Sequence, residues 1–364
     1  MGKLVKSMSI YSICHFIVDF VSCLFVLGVA PAFCFNKNGD FLQDMYIAEV
    51  IMYNFFAFAF QVPMGYFMDK YKIYKYVGII GFCLIGICYV LGFGNPILLS
   101  SIVGIGNGLF HLEGGVNTFD NSKGKAFLNG LFVAPGTWGI FLGTFFYNQL
   151  ADTYLPLVLI VLAIILLAFV QKDNIDFIDE EQEKVSRNGN LFKAHDVLSI
   201  AILIGISIVV RSIGGGAIKY AWKPADVFWI GFLYSSCVLL GKMFGGLIGD
   251  KFGLKKVATI SLIASAFCLG FAQNIPALGI IGILLFNMTM PITLIMASII
   301  LPNSKGLAFG LTTLALFVGA VPSLIGLWTS ETFNVLLVMI GIFVSAIIFY
   351  IGAILYDRLE EKKW

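Results

Sequence analysis

The sequence predicts an all-α membrane protein of twelve transmembrane helices arranged as two parallel six-helix bundles. Three observations carry this reading. Charged residues make up 12% of the 364 positions and hydrophobic ones 59%, against about 25% charged in ordinary soluble domains. Apolar runs recur from end to end, each long enough to cross a hydrocarbon layer of roughly 30 Å as a helix, where a barrel would show alternating strands of about ten residues. Finally, the heptapeptide NSKGKAF at 121–127 returns as NSKGLAF at 303–309, half a chain away.

The apolar runs lie near 7–30, 44–67, 76–94, 97–118, 126–149, 154–171, 196–217, 226–249, 257–273, 277–300, 307–328 and 333–356. Turn-forming residues separate them, as in FNKNGDF at 35–41, GNP at 94–96, KPAD at 223–226 and TSET at 329–332. The longest hydrophilic stretch, 171–196, mixes both charge signs. It divides the chain into a bundle at 1–171, a cytoplasmic linker at 172–195 and a second bundle at 196–364. Basic residues are retained on the cytoplasmic side during insertion. With both termini inside, all but five of the 23 Lys and Arg fall on that side; Lys37, Lys219 and Lys223 lie outside, and Arg211 and Lys242 within spans. The expected location is the cell membrane with both ends cytoplasmic, and the basic loops then report sidedness in a bilayer and not contact with nucleic acid.

A second repeat keeps the register. GYFMDKYKIYK at 65–75 and GGLIGDKFGLKK at 245–256 align Gly65, Asp69, Lys70 and Lys75 with Gly246, Asp250, Lys251 and Lys256 at an offset of 181. Each lies between the second and third spans of its half, and six crossings per half make the repeats parallel. A Gly one turn before an Asp lets helices approach closely. The Asp then ends its helix within reach of a neighbouring helix's positive amino terminus.

This pattern, G-x-x-x-D-[RK]-x-G-x-[RK]-[RK], resembles the signature loop of the major facilitator superfamily. The second copy matches through Gly246, Asp250, Lys251, Gly253, Lys255 and Lys256, whereas the first has Lys72 at the glycine position and Ile73 where a basic residue is usual. The K-G-x-A-F turns are similar to the family's basic-Gly turns before its fifth and eleventh spans. The resemblance implies a secondary transporter, not an enzyme, working as a monomer on a small-molecule substrate without a cofactor. It further implies that Asp69 and Asp250 stabilise the outward-facing state from the cytoplasmic side.

Ionisable groups inside a membrane cost about 2.5–3.5 kcal/mol each on insertion scales, so those retained need a partner or a task. Span one carries His15 and Asp19 on one helical face; span four carries Asn107, His111 and Glu113; span seven carries Arg211; span ten carries Asn287. Under the resemblance, spans one, four, seven and ten line one cavity, which makes these seven residues the expected proton-coupling or substrate-binding set. Glu113 lies about 200° around its helix from His111, so both cannot point into the cavity. A His and a half-buried carboxylate suit proton coupling, and Arg211 favours a carboxylate, phosphate or phosphonate. The alternative is a structural ion pair such as Asp19 with Arg211. Lys242, eight residues before Asp250, is expected to snorkel to the cytoplasmic surface, and Glu49 to approach water near the outer end of span two.

HFIVDF in span one and GIGNGLFHLEGG in span four are similar to stretches of the superfamily's fosmidomycin-resistance branch, with Leu112 where that branch has Pro. That would imply proton-driven export of a small anionic or drug-like compound; uptake of a small metabolite by symport is the alternative. GLFVAPGTWGIFLG at 130–143 spaces glycines as in the exporters' fifth-span motif, and Pro135 there predicts a bend. Seven cysteines without C-x-x-C pairs or metal-ligand spacing read as packing residues, and no metal site is expected. A membrane-embedded enzyme using His15, Asp19, His111 and Glu113 is the rival class. No G-x-x-x-x-G-K-[ST] stretch is present to bind ATP.

Overall fold

In the computed structural model, residues 2–91, 94–173, 194–216, 218, 220, 222, 227–327 and 335–361 are described. Most of the expected linker, 174–193, lies outside the described residues. The described chain is all-helical, with one isolated bridge between Phe35 and Phe41. The first half comprises α1 (Gly2–Leu24), α2 (Gln43–Asn54), α3 (Gln61–Tyr71), α4 (Val77–Leu91), α5 (Pro96–Ser122), α6 (Ala126–Val133), α7 (Gly136–Leu150) and α8 (Leu155–Asp173). The second half comprises α9 (Ala194–Gly216), α10 (Phe228–Phe252), α11 (Leu254–Phe271), α12 (Pro276–Asn287), α13 (Thr289–Ile300), α14 (Lys305–Leu324) and α15 (Val335–Glu361). A π-helical turn at Phe55–Ala59 joins α2 to α3 as one crossing. Among the described residues, ten helical stretches are long and apolar enough to cross a membrane, and the shorter apolar helices Val77–Leu91 and Leu155–Gln171 occupy the third and sixth predicted places.

Local chemistry sets the helix ends. The Asn95 side chain accepts from the Ile97 and Leu98 N–H groups, and Pro96 opens α5 where no N–H is needed. Proline splits two of the crossings. Pro135 cannot donate to the Leu131 carbonyl, which instead accepts from the Ser12 hydroxyl at 3.1 Å. The following turn tightens, with the Thr137 N–H bonding Ala134 rather than Val133. At Met288, three residues before Pro291, the tenth crossing breaks into α12 and α13 in the same manner.

The first half shares one core that runs from Met8 to Val170 and takes in Leu294, Ala308 and Phe309 from the second half. Two clusters fill the second half. Large apolar side chains such as Val90, Val158, Trp229 and Leu336 stand more than half exposed on the outer surface, as suits contact with lipid tails. The halves meet where α3 packs on α14 and where α6 and α7 pack on α10.

Candidate functional site

At the end carrying the basic loops, two helix starts lack caps of their own: neither Ser304 before α14 nor Lys125 before α6 supplies a side-chain acceptor. The opposite half provides one in each case. Asp69 accepts from the Gly306 and Leu307 N–H groups at 2.9 and 2.8 Å, and Asp250 from those of Ala126 and Phe127 at 2.7 and 2.9 Å. Carboxylates at these positive helix ends satisfy orphan donors and favour the helix dipole. Glycines permit the approach. A Cβ on Gly306 would come within 2.7 Å of the Gly65 carbonyl, and one on Gly246 within 2.6 Å of the Ala126 carbonyl. Tyr74 also donates to Asp69 at 2.6 Å; burial, then this carboxylate, holds the phenol protonated well above its usual range. Lys70 and Lys251 are exposed, each over the aromatic ring that follows it. Gly253 takes a φ of +97° at the turn after α10, and Lys72 takes +56° at the equivalent place.

Between the halves lies a cavity of about 100 Å³ lined by His15, Asp19, His111, Arg211 and Lys242 among others. His15 Nε2 is 3.3 Å from Asp19 Oδ2, His111 Nε2 is 3.7 Å from Asp19 Oδ1, and the two Nε2 atoms are 3.0 Å apart. All three side chains are buried. His111 Nδ1 lies 2.9 Å from the Asn107 carbonyl, so Nδ1 carries the hydrogen and a neutral ring presents its Nε2 lone pair to the cluster. Asn107 Nδ2 donates to Asp19 Oδ1 at 3.2 Å and lies 3.3 Å from Ser22. A Cβ on Gly136 would overlap both His15 and Asp19; the glycine leaves the cluster its room. No metal site is expected from the sequence outside the rival enzyme reading, yet the fold gathers one donor atom each from His15, Asp19 and His111 within 4.8 Å.

Two cations, Arg211 and Lys242, line the same cavity. Arg211 Nη1 donates to Thr289 Oγ1 at 3.0 Å and its guanidinium stacks 5.5 Å from the Phe286 ring centre. Thr289 opens α13 at the break in the tenth crossing, which is why a hydroxyl is available there. Arg211 has no carboxylate partner among the described residues, and the Asp19–Arg211 pair does not form. Lys242 corrects the sequence reading. Its Nζ donates to the Val133 carbonyl at 3.2 Å and to Thr137 Oγ1 at 2.7 Å and faces the cavity instead of snorkelling out. The Val133 carbonyl is the acceptor freed by the tightened turn after Pro135, so that proline was the available signal.

Glu113 points away from the cavity, accepting from Tyr11 and the Gly78 N–H, both at 2.8 Å, and from Gln171. Asn287 is absent from the cavity wall; its amide donates to the Ile283 carbonyl of its own helix at 2.8 Å. Glu49, expected near water, is fully buried and accepts from Ser100. Towards the basic end the cavity is stopped by Phe309, whose ring lies over Gly115 and 5.8 Å from that of Phe119. At the other end α7 and α10 meet through aromatic rings, with Trp138 stacked on Phe232 and donating to Ser236 at 3.2 Å.

No protein-family model and no curated protein matches the chain. Solved structures do. A variant of the E. coli fucose:proton symporter FucP superposes with a TM-score of 0.63 at 14% identity, over 96% of this chain and 98% of that one. FucP described as a major facilitator superfamily transporter in the outward conformation gives 0.61 at 14% identity over 96% and 98%. The proton:xylose symporter XylE bound to 6-bromo-6-deoxy-D-glucose gives 0.64 at 13% identity over 97% and 95%. The helix order, the doubled signature loop and nearly end-to-end superposition agree: this chain has the fold of the major facilitator superfamily transporters.

Proposed function

We propose that this protein is a proton-coupled secondary transporter that moves a small solute with an anionic group by alternating access, exchanging it for protons. One observation carries the reading: the cavity between the halves holds an imidazole–carboxylate cluster together with two cations. Such groups are costly in a membrane interior and are retained for a task. Arg211 and Lys242 suit an anion. Arg offers a planar fork and Lys a mobile point charge.

The imidazole–carboxylate cluster suits a proton. Two imidazoles facing each other at 3.0 Å accommodate one hydrogen between their Nε2 atoms, since two would collide, and imidazole ordinarily titrates near neutrality. Proton and solute therefore meet in one small space, where each changes the other's binding free energy. A shared, confined site favours exchange, consistent with the local resemblance to the fosmidomycin-resistance exporters.

In this reading the chain is a monomer in the cell membrane with both termini cytoplasmic, in two six-helix bundles joined by the 172–195 linker. The aspartate caps then close the cytoplasmic side of the cavity. Rocking of the halves breaks those caps and opens the solute's path. The experiment is a solute panel on proteoliposomes loaded with a pH-sensitive dye. One anionic solute is expected to drive lumenal pH change, Asp19→Asn to abolish it, and Arg211→Gln to abolish binding of that solute. Unchanged flux in Asp19→Asn would falsify the coupling role.

A further inference from the structure

Three side chains of the cavity, His15, Asp19 and His111, bring metal-donor atoms together. Tetrahedral zinc with bonds of about 2.0–2.1 Å to nitrogen and oxygen has ligand-to-ligand edges of about 3.3 Å. Here the two Nε2 atoms are 3.0 Å apart, and they face different oxygens of one carboxylate, His15 Nε2 at 3.3 Å from Asp19 Oδ2 and His111 Nε2 at 3.7 Å from Asp19 Oδ1. One donor atom from each of the three residues lies within 4.8 Å of the other two, so a single ion reaches all three once the side chains draw in around it.

The surroundings also fit. Ligating histidines almost always donate their other ring N–H to a carbonyl or carboxylate, and ligating carboxylates are themselves hydrogen-bonded. For His111 and Asp19, Asn107 does both: its backbone carbonyl accepts from His111 Nδ1 and its side-chain amide donates to Asp19, whereas His15 Nδ1 is buried without a hydrogen-bond partner among the described residues. Gly136 keeps a Cβ out of the cluster. An N₂O donor set selects borderline divalent ions such as zinc, cobalt and nickel, rather than calcium, magnesium or copper(I).

We propose that His15, His111 and Asp19 bind one divalent transition-metal ion of the zinc class, its fourth position turned towards the cavity. Arg211 and Lys242 line the same cavity. They repel a bare dication and favour an anion, such as chloride or a carboxylate, as the fourth ligand. When the ion binds it takes the place of the hydrogen shared between the two Nε2 atoms, which is released to solvent, and its binding does not depend on the transport reading.

The test uses the purified full chain in detergent with chloride present, stripped by a chelator and titrated with cobalt(II) alone. One equivalent is expected to give the intense visible bands of four-coordinate cobalt. His15→Gln and His111→Gln are each expected to remove the bands, and Asn107→Ala to weaken binding about 10- to 100-fold. Glu113→Gln, outside the cluster, is expected to leave the spectrum unchanged. Absence of the bands in the wild type overturns the proposal, as does their survival in the His15→Gln/His111→Gln double variant. Zinc-edge X-ray absorption on the wild type needs no variant to fold: two imidazoles and a light-atom shell at about 2.0–2.1 Å support the site, and a sulfur shell or an all-oxygen shell refutes it. Solute-driven flux that is indifferent to metal and chelator, with no cobalt bands, sinks the metal site alone. Cobalt bands without solute-driven flux sink the transport reading alone.

Discussion

Asp69 and Asp250 occupy equivalent places 181 residues apart, yet Asp69 is buried and collects three donors while Asp250 is exposed and collects two. The register differs as well. Asp69 caps the fourth and fifth letters of its heptapeptide, Gly306 and Leu307, and Asp250 caps the sixth and seventh, Ala126 and Phe127. In the first copy Lys123 and Gly124 take positive φ, +49° and +79°, and delay the helix start to Ala126. In the second, α14 begins at Lys305. The one differing letter tracks this: Lys125 is exposed and Leu307 half-buried. An added ion pair, Lys305 with Asp120, strengthens the Asp69 side; the residue equivalent to Asp120 is Pro302. Duplication preserved the device, a carboxylate facing a helix start in the other half, while each copy acquired its own strength.

The largest way to break this comparison is steric. Gly65→Val drives a branched side chain into the Gly306 backbone, and overpacking of about 3 kcal/mol is expected. With the exposed Cys83 replaced, maleimide labelling of a cysteine placed at the buried Ala308 reads the opening; labelling at the parent rate would refute the tight α3–α14 contact. Next come the carboxylates. Asp69→Asn turns an acceptor into a donor facing N–H groups and is expected to cost about 2 kcal/mol. Asp250→Asn, at an exposed cap, is expected to cost about 1 kcal/mol. Equal labelling rates in the two variants would mean that burial and the Tyr74 bond contribute nothing to the difference. Lys305→Gln is smaller still, below about 1 kcal/mol because Asp120 is partly exposed, and the effect should vanish at high salt.

Much of this architecture is legible in the residues. Apolar runs between turn residues place the helices because the period and length of a bilayer-crossing segment leave few alternatives. The site was half legible. His15 and Asp19 are four apart and share a face, and His111 joins them because spans one and four are neighbours. The angle between His111 and Glu113 shows that one must turn away, but choosing Glu113 requires Tyr11, Gly78 and Gln171, which arrive from three other helices. For Lys242, the distance to the surface along its own helix predicts snorkelling, and that distance does not decide its position. What holds it is a carbonyl on another helix, freed by a proline. Asn287 failed for the opposite reason: an amide in a helix can bond its own preceding turn and leave the cavity to Thr289.

The smallest effect concerns the turns behind the two aspartates. Gly253 has φ +97° and ψ 129°, a region suited to glycine, whereas Lys72 has φ +56° and ψ 35°, within the left-handed helical well. An L-residue in that well is strained by roughly 1–2 kcal/mol, and glycine is not. Glycine relieves this strain and loses about 0.5–1 kcal/mol through the freedom of its unfolded chain. Lys72→Gly is therefore expected to stabilise the protein by about 0.5–1 kcal/mol and raise its melting temperature in detergent by a degree or two, with Ala308 labelling unchanged because the Asp69 cap is not touched. A lower melting temperature would show that the Lys72 side chain supplies an interaction outweighing its backbone strain, and that the first copy's departure from glycine is a contact rather than a tolerated defect.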